Sequence, residues 1–301
     1  MKRRNFIQQT SAASAFVGLG GLSSLSFSEA TKHITILHTN DVHSHIEPFG
    51  PDHHRNPNMG GVAKRAVLIE KIRQENPNTL LLDAGDIFQG TPYFNFYGGE
   101  LEFKLMSKLK YDASTLGNHD FDNGIDGLYA QLPHADFDFL ISNYDFSNTI
   151  MDGHTKPYKV FTKNGIRIGV FGVGIELKGL VNDKLYKETK YLDPIERATD
   201  MSTILKNEEN CDLVICLSHL GYKYDSEKVD DHKLAAKTEN IDLIIGGHTH
   251  TFLEEPTIVK NKADNNVMIN QVGCYGLYLG RIDFYLNGGK PLAGNGKSVE
   301  I

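Results

Sequence analysis

The sequence predicts an α/β fold. Short apolar runs alternate with stretches of helical periodicity, and five of those runs stop at small clusters of Asp, Asn and His. His33–His38 reads as the first strand. Val62, Ala66, Ile69 and Ile72 recur at helical spacing between Lys and Arg residues, which predicts an amphipathic helix over Gly61–Glu75. Thr79–Asp83 is a buried strand and Glu100–Leu109 a second helix. Tyr111–Leu116 forms a third strand that runs into Gly117-Asn118-His119-Asp120. Phe137–Ser142 and Arg167–Val173 are further strands, the second preceded by Lys163-Asn164-Gly165, a hairpin-turn sequence. Asp193–Lys206 is helical, with Asp193 as its cap and Pro194 in its first turn. Asp212–Leu217 and Ile241–Ile245 are the next buried strands. Asn266–Val272 and Leu277–Leu286 read as an antiparallel pair, and Pro291–Ile301, rich in Gly, Asn and Lys, as a flexible tail.

Residues 1–30 stand apart. Arg3-Arg4 precede a weakly apolar stretch from Ser11 to Phe27, and Ser28-Glu29-Ala30 places small residues where a signal peptidase reads. This resembles a twin-arginine export signal and predicts an exported, bacterial periplasmic protein. The stretch is too short and too polar to span a bilayer comfortably, and no later segment approaches that length. Residues 31–290 are then one mature domain, followed by the tail at 291–301. A formal net charge of -7 in 301 residues argues against nucleic acid polymers and anionic membranes as partners, because their phosphates would be repelled. A small phosphorylated ligand would need local positive charge, such as bound metal. Cys211, Cys216 and Cys274 read as buried free thiols.

The chemistry lies in Asp41-Val42-His43, Gly85-Asp86, Gly117-Asn118-His119-Asp120, Ser218-His219 and Gly247-His248-Thr249-His250. One such cluster would serve equally well as polar residues satisfying strand-end backbone groups. Five in series bring hard and borderline ligands together without a cysteine, which suits manganese, zinc, iron or cobalt rather than calcium or a soft metal. Asp41 and His43 are two apart and can face one side of a turn, as can His248 and His250. Gly85 allows the sharp turn that brings Asp86 inward. A carboxylate bridges two cations more readily than an imidazole does, so Asp86 is the expected shared ligand. Two cations held this way would generate hydroxide and clamp an in-line phosphoryl displacement.

The order and spacing of these blocks resemble the calcineurin-like metallophosphoesterases, and more narrowly the catalytic domain of secreted 5′-nucleotidases. Thr39-Asn40, Gly60-Gly61-Val62-Ala63-Lys64-Arg65-Ala66, Gln89-Gly90-Thr91-Pro92 and His119-Asp120-Phe121-Asp122-Asn123-Gly124 carry the narrower likeness, which extends from Ile34 to about Leu286. The resemblance implies a four-layer α-β-β-α sandwich: two facing mixed sheets flanked by helices, with two divalent metal ions at one edge. It places Asp41, His43, Asp86 and His250 on one metal, and Asp86, Asn118, His219 and His248 on the other. His119 would be the non-ligand, stabilising the phosphoryl group or protonating the leaving oxygen, with Asp122 orienting it. An imidazole near its ordinary pKa is a natural proton donor, and Asp122 lies at i,i+3. The implied function is metal-dependent phosphomonoester hydrolysis of nucleotides outside the cytoplasm. Such nucleotidases continue into a second domain that contacts the nucleoside. This sequence stops short of one, so a separate chain supplying that domain is an expected partner.

Other readings share the site. A phosphodiesterase, a nucleotide-sugar diphosphatase or a thiosulfate-ester hydrolase of the same superfamily would use the same core. A metal-holding subunit without catalysis is the alternative from another class. His45 reads as a neighbour of the ligands, and His53 and His54 as members of a solvent-facing loop. Tyr93, Phe94, Phe96 and Tyr97 read as local core.

Overall fold

The structure, a computed structural model, describes residues 31–287 and 290–301; the export segment expected at 1–30 lies outside the described residues. In chain order the first half contains β1 (Lys32–Thr39), α1 (Val62–Glu75), β2 (Thr79–Asp83), α2 (Pro92–Tyr97), α3 (Glu100–Lys108), β3 (Ala113–Ser114), α4 (Gly124–Gln131), β4 (Asp138–Phe139), β5 (Tyr144–Asp145), β6 (Tyr158–Lys163) and β7 (Ile166–Val173). The second half adds α5 (Asp183–Tyr186), β8 (Lys190–Tyr191), α6 (Pro194–Thr203), β9 (Leu213–Ser218), α7 (Asp231–Lys237), β10 (Leu243–Gly246), β11 (Thr257–Lys260), β12 (Asn266–Asn270), β13 (Tyr278–Asn287) and β14 (Lys290–Glu300).

Two six-stranded sheets result. One runs β14-β13-β1-β2-β3-β4 and the other β11-β12-β10-β9-β7-β6. Both are mixed. β1, β2, β3 and β4 are parallel while β13 pairs antiparallel to β1; β7, β9, β10 and β12 are parallel while β6 and β11 pair antiparallel at the edges.

The layering follows from residue parity. Leu80 and Leu82 enter the core between the sheets, and Leu81 enters the outer core under α1 and α3 with Ile69, Ile72, Phe103 and Met106. In the other sheet Leu213, Ile215 and Leu217 face inward. Val214 and Cys216 face outward onto Ala198 and Met201 of α6 and Leu234 of α7. Strands covered on both faces must be apolar at every position, which is why they appear as continuous rather than alternating runs. The four-layer sandwich expected from the motifs is the architecture of the chain.

Some local expectations are corrected. The segments around β12 and β13 are not partners: β12 lies between β10 and β11 in one sheet, and β13 lies between β1 and β14 in the other. Residues 291–301 are not a flexible tail, because β14 pairs along β13 from Asn287↔Lys290 to Tyr278↔Glu300. Their Gly-rich composition suppressed a strand signal that backbone pairing alone supplies. The third and fourth strands shrink to Ala113–Ser114 and Asp138–Phe139. On α2 only Phe94 is buried, whereas Phe96 is 83% exposed. Cys211 and Cys216 are buried free thiols as expected, and Cys274 is only half-buried.

One polar contact crosses the inter-sheet core. His38 of β1 is fully buried, with Nε2 3.0 Å from the Asn270 Nδ2 donor of β12. Accepting at Nε2 places the ring proton on Nδ1, which has no partner. Burial pushes this imidazole down to about 3. The unfolded chain, with an ordinary imidazole, binds that proton at higher pH, so the His38 contribution to stability is lost as pH falls from about 6.5 toward 3. Replacing His38 by Gln is expected to flatten the acid side of the stability curve. Denaturant midpoints of wild type and H38Q between about pH 6.5 and pH 4 check this; parallel slopes would contradict it.

Candidate active site

All five clusters sit where parallel strands end. Asp41 and His43 follow β1, Asp86 follows β2, Asn118 follows β3, His219 follows β9, and His248 and His250 follow β10. Carboxyl ends of parallel strands are where open α/β sheets place their ligands. Here two sheets present those ends to the same space. The turns that do this are strained. Asp41 (φ 49°), His43 (49°), Asp86 (55°), His248 (73°) and His250 (53°) all adopt the left-handed region. Non-glycine residues occupy it at a cost of order 1 kcal/mol each and persist only where surroundings hold them. Gly117 is required for another reason: a Cβ there would collide with the Asp86 carboxylate.

Two groups of donor atoms form. Asp41, His43, Asp86 and His250 bring one ligand atom each within 4.8 Å of one another, and Asp86, His219 and His248 do the same. Asp86 belongs to both. Its Oδ2 lies 3.0 Å from His219 Nε2 and 3.9 Å from His43 Nε2. Asp41 Oδ1 is 3.4 Å from His250 Nε2 and 4.0 Å from Nε2 of His43 and of His219. Asn118 joins the second group through Oδ1, 2.8 Å from His248 Nδ1.

The imidazole tautomers are set from behind. His43 Nδ1 donates to Phe88 O (3.2 Å) and His219 Nδ1 donates to Ala84 O (2.7 Å). A carbonyl can only accept, so each ring, whenever it is neutral, turns its Nε2 lone pair toward the carboxylates, the arrangement common to metal-binding histidines. His219 Nε2 is wholly buried and makes no hydrogen bond of acceptable geometry despite its closeness to Asp86. Burial lowers the His219 pKa, but Asp86 and Asp41 override it and raise the pKa to about 10; His219 in turn holds Asp86 below the usual carboxylate range. His248, pressed by burial and by the His219 charge, falls to about 4. Converging lone pairs, two buried carboxylates and one orphaned nitrogen fit divalent cations.

His119 and Asp122 lie at the rim. His119 Nδ1 is 2.8 Å from Asp122 Oδ2, and the His119 side chain is 38% exposed. The His119 backbone N–H donates to Asp86 Oδ1 (2.7 Å), while its ring stands edge-on to His43 with centroids 5.2 Å apart. Its pKa is raised, first by the Asp122 hydrogen bond. Of the other histidines, His45 donates from Nδ1 to His43 O (2.9 Å), His53 is half-buried against Phe49, and His54 is exposed.

Sequence reasoning gave no role of its own to Asp120, which appears there only as the last residue of the Gly117-Asn118-His119-Asp120 cluster. Its buried carboxylate accepts from the backbone N–H of Asp86 (3.0 Å), Ile87 (2.9 Å), Phe88 (3.2 Å) and Gly117 (2.8 Å). It clamps the loops after β2 and β3 together. Three of the four bonds reach residues 32 to 34 positions away, which no local spacing reveals. Replacing Asp120 by Ala would orphan four buried donors, so a loss of about 3 kcal/mol or more is expected together with weakened metal retention. Urea unfolding and elemental analysis of D120A check both; an unchanged midpoint with full metal content would contradict the clamp.

A family model described as calcineurin-like phosphoesterase matches residues 34–252. The chain is 34% identical over 290 residues to a snake venom 5′-nucleotidase of Crotalus adamanteus, covering 88% of this chain and 46% of that protein. It is 35% identical over 283 residues to a 5′-nucleotidase of Homo sapiens, covering 83% and 46%. Among solved structures, a 5′-nucleotidase precursor from Thermus thermophilus superposes with a TM-score of 0.82 at 33% identity, covering 90% of this chain and 55% of that one. The chain thus spans about half the length of the curated relatives it matches. With the family match covering most of the chain and the layered fold agreeing, this protein belongs to the calcineurin-like phosphoesterase family.

Proposed function

We propose that the chain is a divalent-metal phosphomonoesterase acting on nucleoside monophosphates. The observation that carries this reading is Asp86 shared by two donor groups, with the His119–Asp122 pair beside it at the open rim. Asp41, His43, Asp86 and His250 would hold one cation, and Asp86, Asn118, His219 and His248 the other. Bound there, the two cations would lower the pKa of a water and neutralise phosphoryl charge. Metal identity falls to manganese, zinc, iron or cobalt by donor type.

The chain supplies the rest. Asp122 holds the Nδ1 proton of His119, which leaves Nε2 to give a proton to the departing alkoxide. The Asp122 hydrogen bond raises the His119 pKa, which favours the protonated ring that an acid needs. Asp120 and Gly117 fix the Asp86 loop, so the acid and the shared ligand keep their spacing through the backbone bond from His119 N–H to Asp86. Nucleotides are the first substrates because the relatives named above are 5′-nucleotidases. Export is part of the proposal: Arg3-Arg4 and the stretch behind them support a twin-arginine route to the periplasm, and no helix among the described residues is long and apolar enough to cross a membrane.

Metal-loaded protein is expected to hydrolyse nucleoside monophosphates faster than cyclic nucleotides, nucleotide sugars or thiosulfate esters, and to stop on chelation. Turnover of the panel side by side checks the substrate class; no turnover of any ester by fully metallated protein would sink the catalytic reading. His119→Ala should lower kcat about a hundredfold or more with metal content intact, and Asp122→Asn less. Asp86→Ala should lose metal along with activity. Replacing Arg3-Arg4 by Lys-Lys should leave unprocessed precursor in the cytoplasm, seen by fractionation; a normal periplasmic yield would count against the twin-arginine route.

A further inference from the structure

Four rings lead away from the donor groups, and no motif contains them as a set. Tyr275 comes first: its ring centroid lies 5.9 Å from that of His43 and 5.9 Å from that of His250. His45 lies 4.3 Å from Tyr275, Phe49 follows His45 at 5.2 Å, and His53 follows Phe49 at 4.4 Å. The interplanar angles along this series are 31° to 39°, so each ring leans on the next and none stands edge-on to it. All four rings are half-buried.

Their backbone is fixed. Tyr275 adopts φ 63°, a left-handed conformation uncommon for a bulky residue, and its N–H donates to Asp41 O (2.7 Å). Gly276 beside it seats the turn on buried Arg65 of α1, whose Nη1 would meet a Cβ there at 2.7 Å. The Phe49 N–H donates to Met59 O (2.9 Å) and Phe49 O accepts from Asn58 N–H (3.1 Å), which closes the loop carrying the outer rings. The His45 ring is held by its Nδ1 bond to His43 O (2.9 Å), and His53 Nδ1 accepts from Asn56 N–H (3.0 Å). Rings that serve only packing lie inside the layers on relaxed backbone, as Phe88, Phe103 and Phe139 do. A strained tyrosine holding half-exposed rings at a rim is the pattern of a ligand clamp.

His43 joins this series to the reaction. The His119 ring stands edge-on to His43 at 5.2 Å, and Tyr275 adjoins the same ring at 5.9 Å. A group that leaves past His119 therefore starts one ring away from Tyr275. Planar bases stack on aromatic side chains whatever their identity, and rings already fixed in place lose little freedom on binding.

We propose that Tyr275, His45 and Phe49 form a stacking shelf for the planar base of a nucleotide whose phosphate lies at the donor groups. This rests on the phosphoester reading above and adds a site for the part of the substrate that the metal-ligand motifs do not touch.

Turnover of adenosine monophosphate and of ribose 5-phosphate, the same ester without its base, tests it in metal-loaded wild type, Y275L, Y275F, F49L and F96L. Wild type should prefer the nucleotide in kcat/KM. That preference should fall about tenfold in Y275L and in F49L through a higher KM for the nucleotide, the size expected for one lost stacking contact. Y275F, which keeps the ring, and F96L, which removes an exposed ring on α2, should retain it. An undiminished preference in Y275L and F49L would overturn the proposal. So would an equal fall on both esters, which would make Tyr275 a support of His43 and His250. Saturation-transfer NMR of adenosine separates failure of the shelf from failure of the phosphoester reading. Base-proton signals in metal-loaded wild type that disappear in Y275L would uphold the shelf even if neither ester is turned over, and equal signals in the two proteins would overturn it.

Discussion

The structure depends on one electrostatic constraint: two carboxylates and four imidazoles converge in a nearly dry space. Asp41 and Asp86 are essentially inaccessible, as is His219, yet their polar atoms point at one another. Burying such groups costs several kcal/mol each unless positive charge accompanies them. In the bare cluster protons take that role, which is why His219 and His250 are both driven up to about 10 against the effect of burial. Divalent cations would satisfy the same carboxylates while using the imidazole lone pairs that protons would consume.

Around this cluster the fold supplies two matching supports, one for each sheet. Under the β1–β3 ends, Asp120 gathers four backbone donors. Under the β9–β10 ends, buried Asp231 accepts from Ser218 Oγ (2.5 Å) and Gln271 Nε2 (3.0 Å), and the same Gln271 nitrogen donates to Gly247 O (3.0 Å). Asn40 joins the halves. Its Nδ2 donates to Asp41 Oδ2 (2.6 Å) and Gly273 O (2.7 Å), while its Oδ1 accepts from Val272 N–H (2.9 Å). The turns that carry the clustered side chains are therefore braced by buried side-chain hydrogen bonds, several of them to backbone.

The site was more legible in the sequence than the surface around it. Its residues sit in short motifs at the ends of apolar runs, so chain order and strand ends alone bring Asp41, Asp86, Asn118, His219 and His248 to one edge. The layers were legible for a similar reason, since Leu80, Leu81 and Leu82 can all be apolar only if both faces are covered. What stayed hidden depends on distant pairing. β14 is defined by backbone bonds to β13 and carries almost no hydrophobic signature. Phe96 and Tyr97 look like core in composition, but the short α2 turns them outward. Asp120 acts through loops, where a residue's role is decided by what the next turn brings beside it.

Strain and support together explain why the turns are so elaborate. Five ligand residues in left-handed conformations carry a combined cost of several kcal/mol, a sizeable fraction of a domain's net stability. A relaxed extended backbone would avoid that cost and would also put residues two apart on one face, but it would carry the chain straight on past the sheet edge. Asp41 with His43, and His248 with His250, must instead reach the same cavity from one turn. The buried carboxylates and amides beneath them offset the strain, because each satisfies donors that the bent backbone leaves without a strand partner. Stability is thus spent at the sheet edge to fix the positions of these clustered side chains.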